Sequence, residues 1–382
     1  MKIIHSSDWH IGRQFHNVSL LEDQRHALKQ LIEYIQQQQV DVLIIAGDIY
    51  DRSVPPAAAV ALLDEVLTNI CIDLSVPVII IPGNHDSAQR LSFGARQLKQ
   101  TGLHILAELG AITTPVKIQK GSETCCFYGI PYNYPEHVRN QFEISVSSYE
   151  DAQRYLMGLI NAEKDPSCVN IVISHCFVEG AEASESERPL SIGGADRVSS
   201  ELFKGFDYAA LGHLHQAQYK GAENIRYSGS LLKYSFSEQQ HNKSLTLIEL
   251  HDNKLRAISQ LPLKPLHDLR VIEGSMQTIL QQANVDPHSD DYLLVRLTDA
   301  HAIMDAMGKL RQVYPNVLHL EKPGMLAVDG NLLLSREKLK HSELDLFQDF
   351  YQQITGRSMN EQQFAAVEQI IRQLQRDQES HP

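Results

Sequence analysis

Short runs of β-branched and aliphatic residues recur through the first two-thirds of the chain, separated by longer stretches in which apolar residues return every three or four positions. The runs predict strands over residues 2–5, 42–46, 78–81, 126–129, 171–174, 208–211 and 225–227. Between the first two, Leu21, Ala27, Leu28, Leu31, Ile32 and Ile35 keep helical spacing and predict a helix over residues 20–38. The glutamines at 36–39 place its end in solvent. Strands alternating with helices predict an α/β protein with a largely buried sheet.

The pattern changes near residue 261. Pro262 and Pro265 disfavour helix on either side and suit a linker. Beyond it, strands are predicted over 269–273, 292–297 and 317–320, with helices over 276–283 and 302–313, which together make a small second α/β domain. After Leu339 two apolar stripes step by three and four: Leu344, Phe347, Tyr351 and Ile354, then Phe364, Val367, Ile371 and Leu374. They predict two amphipathic helices, with Gly356 stopping the first and Ser358-x-x-Glu361 opening the second as a capping box. Such a terminal pair either packs on its own chain or docks a partner. The expected division is 1–262, 266–335 and 340–382.

Composition narrows the function classes. With 43% apolar and 21% charged residues among 382, the chain is too apolar for a disordered protein. A formal net charge of −13 repels phosphate backbones, so any nucleic acid must be held locally, by a metal, a basic patch or a partner. No apolar stretch approaches the roughly 20 residues of a membrane span, and Met1-Lys2-Ile3-Ile4 enters a strand without a signal-peptide pattern, which points to the cytoplasm. Five cysteines without a C-x-x-C pair agree with reduced, mostly buried thiols.

Five short blocks carry metal-type side chains just after predicted strands: Asp8-Trp9-His10, Gly47-Asp48-Ile49-Tyr50-Asp51, Gly83-Asn84-His85-Asp86, Ser174-His175 and Gly212-His213-Leu214-His215. In an open α/β sheet the crevice beyond the strand carboxyl ends gathers functional groups, so blocks far apart in sequence can meet there. Asp8 with His10, and His213 with His215, converge only if the chain turns after the strand, because i and i+2 face opposite ways in extended backbone. Gly47, Gly83 and Gly212 permit close approach and unusual φ beside the site. Imidazole, carboxylate and amide oxygen without thiolate suit Mn²⁺, Fe²⁺ or Zn²⁺, with Mn²⁺ the first choice. Two such ions beside Asp8 and Asp48 leave a core of about +2 that prefers a phosphate or phosphodiester anion. Each block alone is weak; Gly-Asn-His-Asp after an apolar run is stronger, since burying those polar groups without purpose is costly.

These five blocks, in this order, resemble the signature of the calcineurin-like metallophosphoesterases. Ser6-Ser7-Asp8-Trp9-His10-Ile11-Gly12, Ala46-Gly47-Asp48-Ile49-Tyr50-Asp51-Arg52 and Pro82-Gly83-Asn84-His85-Asp86-Ser87 resemble in particular the nuclease subunits of bacterial SbcCD repair complexes. The likeness is dense up to about Phe236. It implies an α/β fold in four layers, a β-sandwich flanked by helices, with a small α/β capping domain and C-terminal helices. It further implies that Asp8, His10, Asp48 and His215 hold one Mn²⁺ and Asp48, Asn84, His175 and His213 the other, with Mg²⁺, Fe²⁺ or Zn²⁺ as substitutes. His85 would be the catalytic histidine on the scissile phosphate, and Asp86 would orient His85 or its loop. Partners implied are an SbcC-type ATPase, DNA ends and hairpins, and a second copy of the chain, without a membrane. ATP would bind the ATPase, since G-x-x-x-x-G-K-[ST] is missing here. The activity implied is 3′ to 5′ exonuclease and endonuclease action on DNA.

Two positions depart from the common pattern, Ser174 where glycine is frequent and Leu231 after Gly229-Ser230 where proline is frequent; neither removes a ligand. Arg13, Arg52 and Arg90 follow the blocks and either contact phosphates or are surface arginines. Trp9 reads as packing in preference to base stacking, and residues 184–188 as a polar loop. Two rivals stand beside the nuclease: a phosphatase or cyclic-nucleotide phosphodiesterase on the same fold, and a non-catalytic scaffold, which retention of the full ligand set disfavours.

Overall fold

The apolar runs do become strands. A computed structural model describes residues 1–187, 196–299, 301, 303–322, 347–348, 351, 355 and 357–379, with strands β1 (Lys2–Ser6), β2 (Val42–Ala46), β3 (Val78–Ile81), β4 (Leu103–Ile105), β5 (Val116–Lys120), β6 (Glu123–Ile130), β7 (Val169–His175), β8 (Tyr208–Gly212), β9 (Gln218–Lys220), β10 (Ala222–Tyr227), β11 (Ser244–His251) and β12 (Lys254–Pro262); the seven predicted runs fall in β1, β2, β3, β6, β7, β8 and β10, and the other five strands are additions to the sequence reading. Arg188, Ala302, Leu344, Ile354 and Gly356 lie outside the described residues.

Residues Met1–Asp268 form one unit and Leu269–Pro382 another. The first contains two six-stranded sheets, ordered β12-β11-β1-β2-β3-β4 and β9-β10-β8-β7-β6-β5. Parallel strands occupy the centre of each; antiparallel pairs form both edges of the second sheet and the β12-β11-β1 side of the first, whose other edge, β4, is parallel to β3. That arrangement explains why Val42-Leu43-Ile44-Ile45-Ala46 is apolar throughout: a parallel strand is covered on both faces. Alternate residues Ile3, Val42, Ile44 and Ile79 pack against Phe127, Ile171, Ile173 and Ala210 of the other sheet, making the inter-sheet core. The opposite face of β6, β7 and β8 packs under the helix Tyr149–Glu163, through Ala152, Leu156 and Ile160. Helix Leu21–Gln38 buries Ala27, Leu28, Leu31 and Ile35, and its last carbonyls meet the left-handed Gln39 (φ 55°).

The proline-rich stretch is a correction. Residues 261 and 262 are not linker but the end of β12, paired with Leu245 and Ser244. Pro262 is tolerated because β12 is an edge strand and Pro262 its last residue.

The second unit has a parallel sheet of β13 (Leu269–Gly274), β14 (Tyr292–Leu297) and β15 (Val317–Glu321) in that order. Helix Met276–Ala283 starts at Ser275, whose hydroxyl accepts from Thr278 N at 3.2 Å. The predicted helix 302–313 is shorter, Ala306–Arg311, because Asp305 caps it by accepting from Gly308 N at 3.2 Å. Ile279, Leu293, Val295, Leu310 and Val317 form its core. The terminal helix is Glu361–Glu379, and its capping box differs from the expected Ser358/Glu361 pair. Asn360 Oδ1 accepts from Gln363 N at 2.9 Å while Gln363 Oε1 accepts from Asn360 N at 3.0 Å.

Candidate metal centre

All five blocks emerge from carboxyl ends of central strands, β1, β2 and β3 of one sheet and β7 and β8 of the other. Beyond the strand ends, residues 8–11 run beside 47–49: Asp8 N donates to Gly47 O at 3.0 Å, His10 N to Asp48 O at 2.9 Å and Ile11 N to Ile49 O at 2.9 Å. The turns that bring i and i+2 together are made by the functional residues themselves. Asp8, His10 and Asp48 sit in left-handed backbone at φ 53°, 46° and 52°, and His213 at 104°. Of the three glycines expected to adopt unusual φ only Gly47 does, at 95°; Gly83 and Gly212 serve close approach. A Cβ on Gly83 would lie 2.2 Å from Asp48 Oδ1, and one on Gly212 1.9 Å from Ala46 O.

The strained turn at 8–10 is over-determined by two residues that periodicity does not single out. Buried Gln24 donates from Nε2 to His10 O (2.7 Å) and Trp9 O (3.2 Å), and accepts from Gly12 N at 3.0 Å. Tyr234 donates to Trp9 O at 2.5 Å. The only sequence signal for Gln24 is a polar side chain on the buried face of a helix, and Tyr234, in a loop, carries none. Trp9 itself is fully buried, with Nε1 donating to Ser6 Oγ at 2.8 Å, so it is a packing residue.

Side chains from the blocks converge. Asp8, His10 and His215 bring one ligand-type atom each within 4.8 Å of one another, as do Asp8, Asp48 and His175. Asp48 Oδ2 lies 3.7 Å from His10 Nε2 and 3.4 Å from His175 Nε2. Asn84 Oδ1 lies 3.0 Å from His175 Nε2 and 3.1 Å from His213 Nδ1, which joins the two loops. His213 N donates to both Asp8 oxygens at 3.1 Å. His175 Nδ1 donates to Ala46 O at 2.8 Å, which fixes the ring with Nε2 toward the cluster.

The donor set fits divalent cations. His10 Nε2 and His215 Nε2 face each other at 3.1 Å, and His10 Nδ1 and Asn84 Nδ2 are buried without a hydrogen-bond partner, an arrangement costly for a protein-only core. Burial pushes the Asp8 carboxyl up to about 6 and the His213 imidazole down to about 3. Burial alone would disfavour the His175 cation as well, but Asp48 overrides it and lifts that imidazole to about 9. Carboxylates and imidazoles are thus packed into one desolvated volume where a cation relieves the conflict.

His85 stands at the rim, half-buried, edge-on to His10 with ring centroids 4.7 Å apart. Its backbone N donates to Asp48 Oδ1 at 2.8 Å and its Nδ1 to Asp51 O at 2.8 Å, so Nε2 is left free. Asp86 does not touch the His85 ring. Its carboxylate accepts from Gly83 N (2.9 Å), Tyr50 N (3.0 Å) and Ile49 N (3.1 Å), clamping the two loops together.

A further polar layer went unread in the sequence. Fully buried Glu238 accepts from Ser186 Oγ and Tyr234 N, pairs with Lys243, and sets Oε1 3.4 Å from His215 Nδ1. Glu187 Oε1 accepts from His215 N at 2.8 Å, so part of the polar loop at 184–187 packs against this histidine. Arg13 lies 3.4 Å from Asp51 and 5.0 Å above the Tyr234 ring, while Arg52 is exposed. No helix among the described residues is long and apolar enough to cross a membrane.

Comparison with known proteins agrees with this geometry. The calcineurin-like phosphoesterase family profile matches residues 1–217, and that of the type 5 capsule protein repressor C-terminal domain matches residues 265–355. The SbcD subunit of nuclease SbcCD from Staphylococcus epidermidis is 34% identical over 373 residues, 97% of this chain and 98% of that one. Its counterpart from Staphylococcus saprophyticus is 35% identical over 378 residues, 98% of each chain. Likeness of this extent, with the ligand-type side chains gathered at the strand ends, makes the chain a metal-dependent phosphodiesterase, a member of the calcineurin-like phosphoesterases and, within them, of the SbcD family of SbcCD nuclease subunits.

Proposed function

We propose that this chain hydrolyses DNA phosphodiesters with two Mn²⁺ ions, Asp8, His10, Asp48 and His215 holding one and Asp48, Asn84, His175 and His213 the other. The observation that carries the reading is Asp48 Oδ2, which faces His10 at 3.7 Å and His175 at 3.4 Å and so stands where a bridging carboxylate is needed. Ions bound there supply charge to polarise the phosphate and acidify a water nucleophile. His85, tethered through Nδ1 to Asp51 O, presents Nε2 to the scissile phosphate and delivers the proton to the leaving oxygen. Asp86 keeps the 47–51 and 83–86 loops in register, and Glu238 with Ser186 fixes the ring of His215.

The substrates are DNA ends and hairpins, cut by 3′ to 5′ exonuclease and by endonuclease action in repair, replication and recombination, alongside an SbcC-type ATPase that binds the ATP. Residues 1–262 are the nuclease domain, residues 266–335 a DNA-recognition domain of the capping type, and residues 340–382 dock the ATPase. A second copy of the chain covers the apolar surface carrying Val54, Val60, Ile72 and Phe93, which are 57%, 44%, 53% and 87% exposed beside a groove of about 610 Å³. Five unpaired cysteines suit a cytoplasmic enzyme.

The test is cleavage of an end-labelled DNA hairpin by the full chain with Mn²⁺, Mg²⁺ or chelator, beside Asn84→Ala. Mn²⁺-dependent cutting that the variant loses supports the reading. Hydrolysis of a phosphopeptide or cyclic nucleotide with DNA left intact rejects it.

A further inference from the structure

A groove of about 750 Å³ opens beside Asn84, within the range of small-ligand sites. Its walls include Asp86, Tyr132, Tyr134, His137 and Gln141, and its lining residues contain no lysine or arginine. Of the two carboxylates there, half-buried Asp86 is spent on three backbone amides and Glu108 is exposed.

Aromatic rings run in file from the metal-type cluster into this groove. His175 meets Tyr132 edge-on at 6.3 Å between centroids, Tyr132 meets Tyr134 at 5.2 Å, and Tyr134 meets His137 at 5.4 Å, all near perpendicular. Tyr132 N donates to Pro82 O at 3.0 Å, which ties the rings to the loop carrying Asn84. Tyr134 is 46% exposed, a large ring left open at the groove.

We propose that this groove is a subsite for one unpaired nucleobase, the base next to the scissile phosphate, stacked on Tyr134. The inference deepens the nuclease reading and rests on it. A phosphate subsite needs cations, and this groove has none; a base needs a π-face and an amide that donates and accepts, and Tyr134 and Gln141 offer them. A paired base has both faces stacked and its edge occupied, so only a nucleotide freed from the duplex can lie there. The subsite therefore favours frayed ends and hairpin loops over an intact helix.

The experiment compares a short single-stranded DNA with a strand that is abasic on either side of the cleavage position, using the full chain and Mn²⁺. Stacking of one base predicts a KM about tenfold lower for the natural strand, a difference erased in Tyr134→Ala and kept in Tyr134→Phe. A second readout dispenses with catalysis: 2-aminopurine at that position, mixed with chelator-treated enzyme, is quenched on binding by wild type and not by Tyr134→Ala. Equal KM for both strands in wild type, with both cut, overturns the subsite and leaves the nuclease standing. No metal-dependent cutting of either strand removes the nuclease reading and the subsite with it.

Discussion

Lys243 and Glu238 form an ion pair closed off from solvent, Nζ to Oε2 at 2.5 Å, directly behind His215. Lys243 also donates to His215 O at 2.8 Å and Ser230 Oγ at 2.9 Å. Lys243→Met strands a buried carboxylate and is expected to cost about 3–5 kcal/mol. Glu238→Gln combined with Lys243→Met should recover much of that stability while loosening His215, weakening metal binding about 10–100-fold. Urea unfolding in chelator reads the first effect and Mn²⁺ titration the second.

Gly83→Ala should disable the centre without touching a ligand. Its Cβ would meet Asp48 Oδ1 at 2.2 Å and Asp48 N at 2.3 Å, pushing the carboxylate out of place. A shift of this size predicts about 100-fold slower hydrolysis. Gly158→Ala is the control: it sits inside the helix Tyr149–Glu163 with nothing within 4 Å of the new Cβ, and should raise stability by about 0.5–1 kcal/mol. Steady-state kinetics and thermal unfolding of both variants check the pair.

His5 predicts a pH dependence of stability. It is fully buried with Nδ1 3.0 Å from Tyr208 Oη, and burial holds its imidazole down to about 3 from an ordinary value near 6.5. Between those values the unfolded chain binds a proton that the folded chain refuses, so this group's stabilisation, complete above pH 6.5, falls by about 1.4 kcal/mol per unit as pH drops toward 3. His5→Gln should flatten the slope by that amount. Unfolding free energies of wild type and variant from pH 4 to 7, compared at each pH, decide it.

Phe93→Glu tests the second copy. A ring 87% exposed on an apolar surface has little reason to be there in a monomer. Sedimentation velocity should give a dimer for wild type and a monomer for the variant, with metal binding retained. A wild-type monomer at tens of micromolar would reject this face as the interface.

The central parallel strands were legible because strands covered on both faces are written as unbroken aliphatic runs, as at Val42-Leu43-Ile44-Ile45-Ala46 and Val78-Ile79-Ile80-Ile81, whereas the antiparallel inner strand Ser244–His251, with polar residues interleaved, was not. Edge strands were not: Lys254–Pro262 is mostly exposed and polar on both faces, and its last residues, Leu261 and Pro262, read with Pro265 as a linker. The candidate site was legible in its side chains, since blocks at strand ends must meet if the strands are neighbours. Its supports were hidden. Gln24, Ser186, Glu238 and Lys243 reach the site from a helix face and from loops, and a polar residue there looks like surface until the fold buries it. The cap at Asn360 was missed by two residues because Ser358 and Asn360 both head an acceptable capping box, and only backbone geometry chooses between them.

The most direct test of the two-ion centre is a Mn²⁺ titration of the metal-stripped full chain by calorimetry, for wild type, Asp48→Ala and His85→Gln. The geometry around Asp48 predicts two ions per chain in wild type, two in His85→Gln, and loss of high-affinity binding at both positions in Asp48→Ala. One ion in wild type, or two retained in Asp48→Ala, would contradict it.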